Sequence, residues 1–381
     1  MHIELHILQN FAPSCLNRDD TNSPKDCTFG GVRRARLSSQ SLKRAIRQSD
    51  VFKGLVEGEI GTRTKLLGEQ IVSQLAQQGR DRETAERVTN FALSGAGYKM
   101  DGGKSAVLLF LSPGEIARYA EVIATHWDAL LPLASAEEEP KEATAKKPGK
   151  ADKKEKGPTL PAPVAKALKA LGSDQTEAAD IALFGRMIAE STNMNIVAAC
   201  QVAHAISTHE VRPESDFFTA IDDLQPSGET GAGMMGTVEF NSACYYRYAS
   251  VDLGTLSRTL FDKPELARKV ALAFVHAAIV ARPTAKQASM AAHNPPSFVM
   301  VRVRKSGAPC SLTNAFVQPV RLGRDGDLAK ASIDALTDYD ARLNQMYGTE
   351  EVLFSKSVST YDQPGSGSVA ALLKAVAEAV A

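Results

Sequence analysis

The stretch FGGVRRARLSSQSLKRAIRQS, Phe29 to Ser49, decides how this chain reads. Ser38 or Ser39 offers a side-chain acceptor for a helix start, and Leu42, Ala45 and Ile46 recur at the spacing of one buried helix face. Ser38, Ser39, Gln40 and Ser41 then bring backbone N–H groups and hydroxyls to a helix N-terminus, a ready anion site. Lys43 and Arg47, one turn apart, extend it along the same face. Gly30 and Gly31 read as a hinge at which the backbone can approach a ligand closely. From Cys27 to Ser49 there are six basic residues and no acidic one. That absence favours phosphate binding over an ordinary capped helix with a solvated basic face.

Upstream, Ile3, Leu5 and Ile7 alternate within residues 2–9 and predict a half-buried strand with His2, Glu4 and His6 on a polar outer face. Those three cannot share one metal ion, because residues i and i+4 of a strand lie roughly 13 Å apart. Phe11 to Gly31 is rich in Pro, Asn, Asp, Ser and Gly and reads as a long loop, a length that usually accompanies function. Its residues Asn17, Arg18, Asp19, Asp20 and Asp26 admit two readings. Carboxylates beside a phosphate site can hold magnesium and cut RNA, or they serve turn chemistry and pair locally with Arg18 and Lys25; the second is favoured.

Downstream, residues 60–132 are mostly helical in period, as in Leu66, Leu67, Ile71 and Leu75. Ala134 to Pro163 breaks the composition with seven Lys and six acidic residues, and reads as a flexible solvated insertion. Val202–Val211 and Phe240–Val251 predict strands bracketing a Gly-rich acidic segment, the pattern of a long hairpin or protruding arm. Within it GAGMMG, Gly231 to Gly236, matches G-x-G-x-x-G but leads into a strand instead of a helix, so a loop tip replaces the dinucleotide reading. Phe217 and Phe218 are either a small local core or platforms between bases. Pro264 opens a helix burying Leu266, Val270, Phe274 and Ala277. Val299, Val301 and Val303 alternate with an outward Met300, Arg302 and Arg304, and residues 367–381 form an Ala-rich helix. The order predicts an α+β domain carrying insertions.

The 381 residues carry 44 basic and 44 acidic side chains, a formal charge of zero that by itself disfavours a nucleic-acid binder. The zero is a cancellation. Arg247 to Arg324 holds twelve basic residues against three acidic ones, whereas Thr208 to Phe240 holds seven acidic residues against Arg212. Such segregation serves polyanion binding or complementary contacts between copies of one chain. Five cysteines without a CxxC pair fit a reducing compartment and argue against structural zinc. His204, His209, His276 and His293 lack zinc-ligand spacing. The apolar run Ala106 to Leu111 is too short for a bilayer, and the opening MHIELHIL carries no signal-peptide pattern.

SCLNRDDTNSPKD (Ser14 to Asp26) followed by the Phe29–Ser49 stretch closely resembles the CasC family, the backbone (RAMP-superfamily) subunit of the type I-E CRISPR surveillance complex, Cascade. DIALFGRM (Asp180 to Met187), AHAISTHEV with DFFTAIDDL (Ala203 to Leu224), EFNSACYYRYA (Glu239 to Ala249) and AKQASMAAHNP (Ala285 to Pro295) carry the likeness to near residue 350. The insertion around 137–157 and the last 25 or so residues fall outside it.

The resemblance implies an α+β fold with an RRM-like (ferredoxin-like) palm, an inserted helical finger domain and a β-hairpin thumb. The palm would take 1–56, 199–208 and 241–381 with its C-terminal helix; the fingers 57–198, including the flexible charged segment 134–163; and the thumb 209–240. Copies would line up head to tail along a guide RNA (crRNA), kinking out periodic bases and leaving the others to pair with target DNA in antiviral defence. Arg18, Lys25, Ser38, Gln40, Lys43, Arg44 and Arg47 match guide-phosphate contacts, and Met187, Phe217 and Phe218 match base-kinking positions. Basic residues of 285–305 would line the groove. The implied partners are the guide RNA, the target DNA by way of the guide, further copies, the large and small subunits, the guide 5′-end subunit and the guide-processing endoribonuclease subunit. A recruited helicase-nuclease enters indirectly. No membrane, metal, cofactor or catalysis is expected, and the setting is the cytoplasm. One rival is metal-dependent RNA cleavage by Asp19, Asp20 or Asp26, as in type III relatives. Another is a free-standing RNA-binding module.

Overall fold

A computed structural model describes residues 1–56, 60–101, 103–136, 159–188, 192–224, 233–322, 326–365 and 367–381. The charged insertion at 137–157 and Gly231 of the glycine-rich run lie outside the described residues. Two units emerge: Met1–Val56, Cys200–Gly254 and Pro264–Ala381 form the first, and Glu57–Ala199 with Thr255–Lys263 the second.

The first unit is a mixed α/β structure on an antiparallel sheet. Its strands are β1 (His2–Ser14), β2 (Asp26–Phe29), β3 (Val32–Leu37), β4 (Cys200–Val202), β5 (Ala205–Ser207), β6 (Glu214–Ala220), β7 (Met234–Asp252), β8 (Phe298–Arg304) and β9 (Val352–Ser359). The order is β9-β8-β1-β7-β5-β3-β2, with β4 and β6 also paired to β7, and every pairing is antiparallel. Helices α1 (Ser39–Gln48), α2 (Asp50–Leu55), α3 (Pro264–Val280), α4 (Leu328–Tyr347) and α5 (Val369–Ala379) belong to this unit.

β1 departs from its predicted form. It runs on through Phe11 to Ser14, into the expected loop, and both of its faces are covered. The supposed outer face is buried: Glu4 and His6 are fully enclosed, and Arg302 beside them on β8 nearly so. Helix α4 and the Cys310–Phe316 segment cover that face, packing Leu312, Phe316 and Leu336 on Leu8, Tyr246 and Met300. The polar groups survive burial because each finds a partner. Glu4 Oε1 accepts the Cys310 N–H at 2.6 Å, His6 Nδ1 meets the Tyr246 hydroxyl at 2.8 Å, and Arg302 pairs with Asp340 at 2.7 Å. Arg302 is therefore a structural cation and does not line an open groove. An alternating polar pattern marks an outer face only where nothing folds back over it.

The loop Phe11–Gly31 is likewise shortened from its far end. β2 and β3 form a hairpin in which Phe29 pairs with Val32, and the two residues between them, Gly30 and Gly31, have φ of 62° and 80°. Two consecutive positive φ angles are what a type I′ hairpin turn requires, and Gly-Gly meets that need. The expected hinge is thus a tight turn. The close approach is to protein: a Cβ on Gly30 would fall 1.8 Å from the Val317 carbonyl oxygen. The predicted strand Val202–Val211 resolves into β4 and β5, interrupted at Ala203 and His204.

Arg34, counted in the basic run, has no solvent exposure. Its guanidinium donates to the carbonyls of Phe29 (3.2 Å), Ser207 (3.2 Å) and Phe316 (2.8 Å), clamping the hairpin to β5 and to the 313–316 turn.

In the second unit, helices Leu67–Gln77, Arg82–Gly95, Pro113–Thr125, Trp127–Ala136 and Ala162–Ala170 pack around Ile71, Leu75, Val88, Leu93, Tyr119 and Ile123. Both ends of the segment expected to be flexible, 134–163, are therefore helical. Among the described residues no helix is long and apolar enough to cross a membrane.

Two stability predictions follow from the buried polar groups. Arg34→Met strands the buried carbonyls of Ser207 and Phe316 and is expected to cost about 3 kcal/mol in urea unfolding; a loss under about 0.5 kcal/mol would refute the clamp. Burial, reinforced by Arg302, holds His6 neutral, with its pKa lowered to about 3. An unfolded histidine takes up a proton near pH 6.5, so the His6 contribution is complete above that pH and is lost as the pH falls. The expected loss is about 3 kcal/mol between pH 7 and 4, and His6→Gln should flatten that part of the stability–pH curve.

Candidate nucleic-acid interface

The helix start is built as the sequence indicates, with Ser38 as the cap. Its side chain accepts the Ser41 N–H at 3.2 Å, and its own N–H donates to Asn17 Oδ1 at 2.8 Å. The cap hydroxyl is thus committed to the helix, and Ser38 couples the 17–25 loop to α1. Leu42, Ile46 and Arg47 form the buried face of α1, while Gln40 and Arg44 are exposed and Lys43 is half-buried. Arg47, 8% exposed, is buried and does not continue the solvent-facing row expected for it.

An open pocket of about 540 Å³ brings together Arg18, Asn22, Ser41, Arg44 and Gln48 with Arg282, which follows α3. Arg18 is held in place by Asn22, whose Oδ1 accepts from its Nη1 at 3.0 Å and whose φ is 68°. Arg282 is anchored by donation to the His293 carbonyl. Of the seven expected phosphate contacts, only Arg18 and Arg44 line this pocket. Sequence reasoning missed Arg282; its one signal was the basic excess of 247–324.

Lys25 belongs to a neighbouring cationic group. Its carbonyl accepts the Arg36 N–H at 2.9 Å, and Arg36 Nη1 lies 3.0 Å from His204 Nδ1. Burial first, then the charges of Arg36 and Lys25, lower the His204 pKa, favouring the neutral ring that accepts from Arg36. The β4–β5 interruption brings His204 here, a placement that zinc spacing gave no reason to seek.

Two of the three loop aspartates make local contacts. Asp26 pairs with Arg33, and Asp19 Oδ1 accepts from the Thr21 N–H, the Thr21 hydroxyl and the Ser23 N–H. Among the described residues no three His, Cys, Asp or Glu side chains converge as metal ligands.

Phe217 and Phe218 occur where β6 pairs with the first part of β7, from Glu214↔Phe240 to Ala220↔Met234. Neighbours in a strand face opposite ways. Phe218 covers Gly236, where a Cβ would lie 2.5 Å from its ring. Phe217 is 64% exposed and shares its face with Met235, 68% exposed. Phe217 is thus the exposed ring of the pair.

Met187 belongs to the second unit and is 86% exposed. The residue before it supplies the rigidity. Arg186 is buried, pairs with Glu115 at 2.7 Å, and donates to the carbonyls of Phe110 (3.1 Å) and Met194 (2.8 Å). Glu115 also completes a capping box with Ser112 at the start of helix Pro113–Thr125. An apolar side chain is thereby held in water on a fixed backbone.

The fold defines a class: mixed α/β proteins whose antiparallel sheet carries a helical insertion and a paired hairpin. The CT1975-like protein family model matches residues 3–379, and this chain belongs to that family. It is similar to a chain of a "CRISPR RNA-guided surveillance complex, pre-nicking", with 28% identity, both chains covered in full and a TM-score of 0.82. A chain of a "CRISPR RNA-guided surveillance complex" shares the fold over the full length of both, with 24% identity and a TM-score of 0.72. No curated protein sequence matches it.

The anchor below Met187 generates a prediction. Glu115→Ala leaves the Arg186 charge buried without its carboxylate and should cost about 4 kcal/mol in chemical denaturation. Met187→Ala should stay within about 0.5 kcal/mol of the parent. Equal effects would show that Met187 contributes to the core.

Proposed function

We propose that this chain is the guide-RNA-binding backbone subunit of a type I-E CRISPR surveillance complex. The observation that carries the reading is the full-length likeness, at 28% identity, to a chain of an RNA-guided surveillance complex. The pocket supports it: Arg18, Arg44 and Arg282 gather along the side of α1 that carries Ser41, Ala45 and Gln48, as a phosphate backbone requires. In this reading the first unit supplies an RRM-like palm, residues 57–198 the fingers and 209–240 the thumb. Copies assemble head to tail along the crRNA. Phe217 and Met187 wedge against the base turned out at each boundary, and the intervening bases are left to pair with target DNA. The other subunits of the complex are its partners in the cytoplasm, and the subunit itself cuts nothing.

With Arg18, Lys25, Lys43 and Arg44 engaging phosphates, the logarithmic salt slope for single-stranded RNA should be about −3 per subunit. Lys43→Ala should weaken binding evenly across guide sequences and make that slope shallower by about 0.7. A salt-independent affinity, or assembly that does not grow with guide length, refutes the reading. Incubating the assembled complex with complementary RNA and magnesium tests the rival: regular cuts abolished by Asp→Ala at position 19, 20 or 26 would make the subunit a nuclease.

A further inference from the structure

The pocket beside α1 is not uniformly basic. Asp19 stands in its wall among Arg18, Arg44 and Arg282. A site serving phosphate alone gains nothing from a carboxylate, which repels the ligand and offsets part of the cationic field. The geometry of Asp19 shows what is left over after local structure is satisfied. Its Oδ1 takes all three loop hydrogen bonds, from the Thr21 N–H (2.9 Å), the Thr21 hydroxyl (2.8 Å) and the Ser23 N–H (3.0 Å). Among the described residues Oδ2 has no hydrogen-bond partner. The same hydrogen bonds, that from the Thr21 side chain foremost, hold the carboxyl below its usual range, so it is ionised.

An ionised carboxylate accepts hydrogen bonds and donates none. Its ligand must therefore present a donor next to the phosphates that the arginines attract. Phosphodiester oxygens are acceptors, and deoxyribose offers no hydroxyl within the chain. The ribose 2′-hydroxyl is a donor adjacent to the 3′-phosphate and is the group that separates RNA from DNA. Resting on the guide-RNA reading above, we propose that Asp19 Oδ2 accepts a hydrogen bond from a ribose 2′-hydroxyl while Arg18 and Arg44 hold the flanking phosphates. The pocket then selects RNA over DNA through the sugar, independently of base sequence. The carboxylate contributes twice: it rewards the hydroxyl and penalises a backbone that brings only negative charge.

The test uses the full chain and three oligonucleotides of one sequence, made as RNA, DNA and 2′-fluoro RNA, with binding followed by fluorescence anisotropy. The 2′-fluoro sugar keeps the RNA pucker but cannot donate. Wild-type protein should bind RNA on the order of tenfold more tightly than either of the others, the scale of one hydrogen bond to a charged group. Asp19→Asn retains an acceptor for the Thr21 and Ser23 bonds but removes the charge. It should bring the three affinities within about twofold of one another, chiefly by tightening DNA and weakening RNA. Equal binding of RNA and 2′-fluoro RNA by wild type overturns the proposal without requiring any variant to fold. An RNA preference unchanged in Asp19→Asn overturns it as well. Failure to bind any of the three refutes the guide-binding function itself, a result distinct from equal binding.

Discussion

A guanidinium with no exposed surface, that of Arg34, sits where three parts of the first unit meet. Main-chain carbonyls from β2, β5 and the 313–316 turn with the following Val317 disperse its charge. Removing a charge from water is tolerated only when such dipoles are already fixed around it, so the hairpin, β5 and the turn must arrive in one arrangement. The Gly30–Val317 contact closes the same joint: any side chain at Gly30 would strike a carbonyl oxygen. The consequence for function is positional. With β3 fixed, α1 begins at a set place, and Asn17, reaching the Ser38 N–H, sets the loop against it. Arg18 and Arg44 face one pocket because that frame is rigid.

The basic residues thereby separate by task. Arg34, Arg186, Arg247 and Arg302 are buried and hold structure together, each through carbonyls, a carboxylate or an amide. Arg18, Arg44 and Arg282 reach the pocket, while Arg36 and His204 form a second group beside Lys25. A charge map from sequence weights all of them alike. The acid-free run Cys27–Ser49 is thus a mixture: Arg34 and Arg47 turn inward, and Arg33 pairs with Asp26. The exposed aromatic shows the same division of labour, since Phe218 shields Gly236 and leaves Phe217 to water.

Much of the architecture was legible. The α1 cap, the Pro264 helix, the terminal Ala-rich helix and the presence of a strand at β8 follow from local chemistry: a side-chain acceptor, a ring that fixes φ, and a period of 3.6 or 2. The outward face expected of Met300 and Arg302 does not, since both are buried. Three features were not. The Gly30–Gly31 turn was obscured because its strands carry arginines where apolar residues mark most hairpins. β4 and β5 merged into one strand because the break at Ala203 and His204 contains no Gly or Pro. Glu4 and His6 were assigned to solvent because their covering helix, α4, lies more than 300 residues away in the chain.

Sequence alone determined what depends on neighbours within a few residues: strand and helix periods, the cap, the family motifs, and the segregation of charge behind a net zero. The tertiary structure decided which charges are available. Whether an arginine binds a ligand or braces a sheet depends on what packs over it, and those partners lie well beyond its sequence neighbours: Phe316 for Arg34, Asp340 for Arg302, and the α3 exit that delivers Arg282 to a loop at Arg18. Long-range burial assigns each charged side chain its environment, and the environment sets its chemistry.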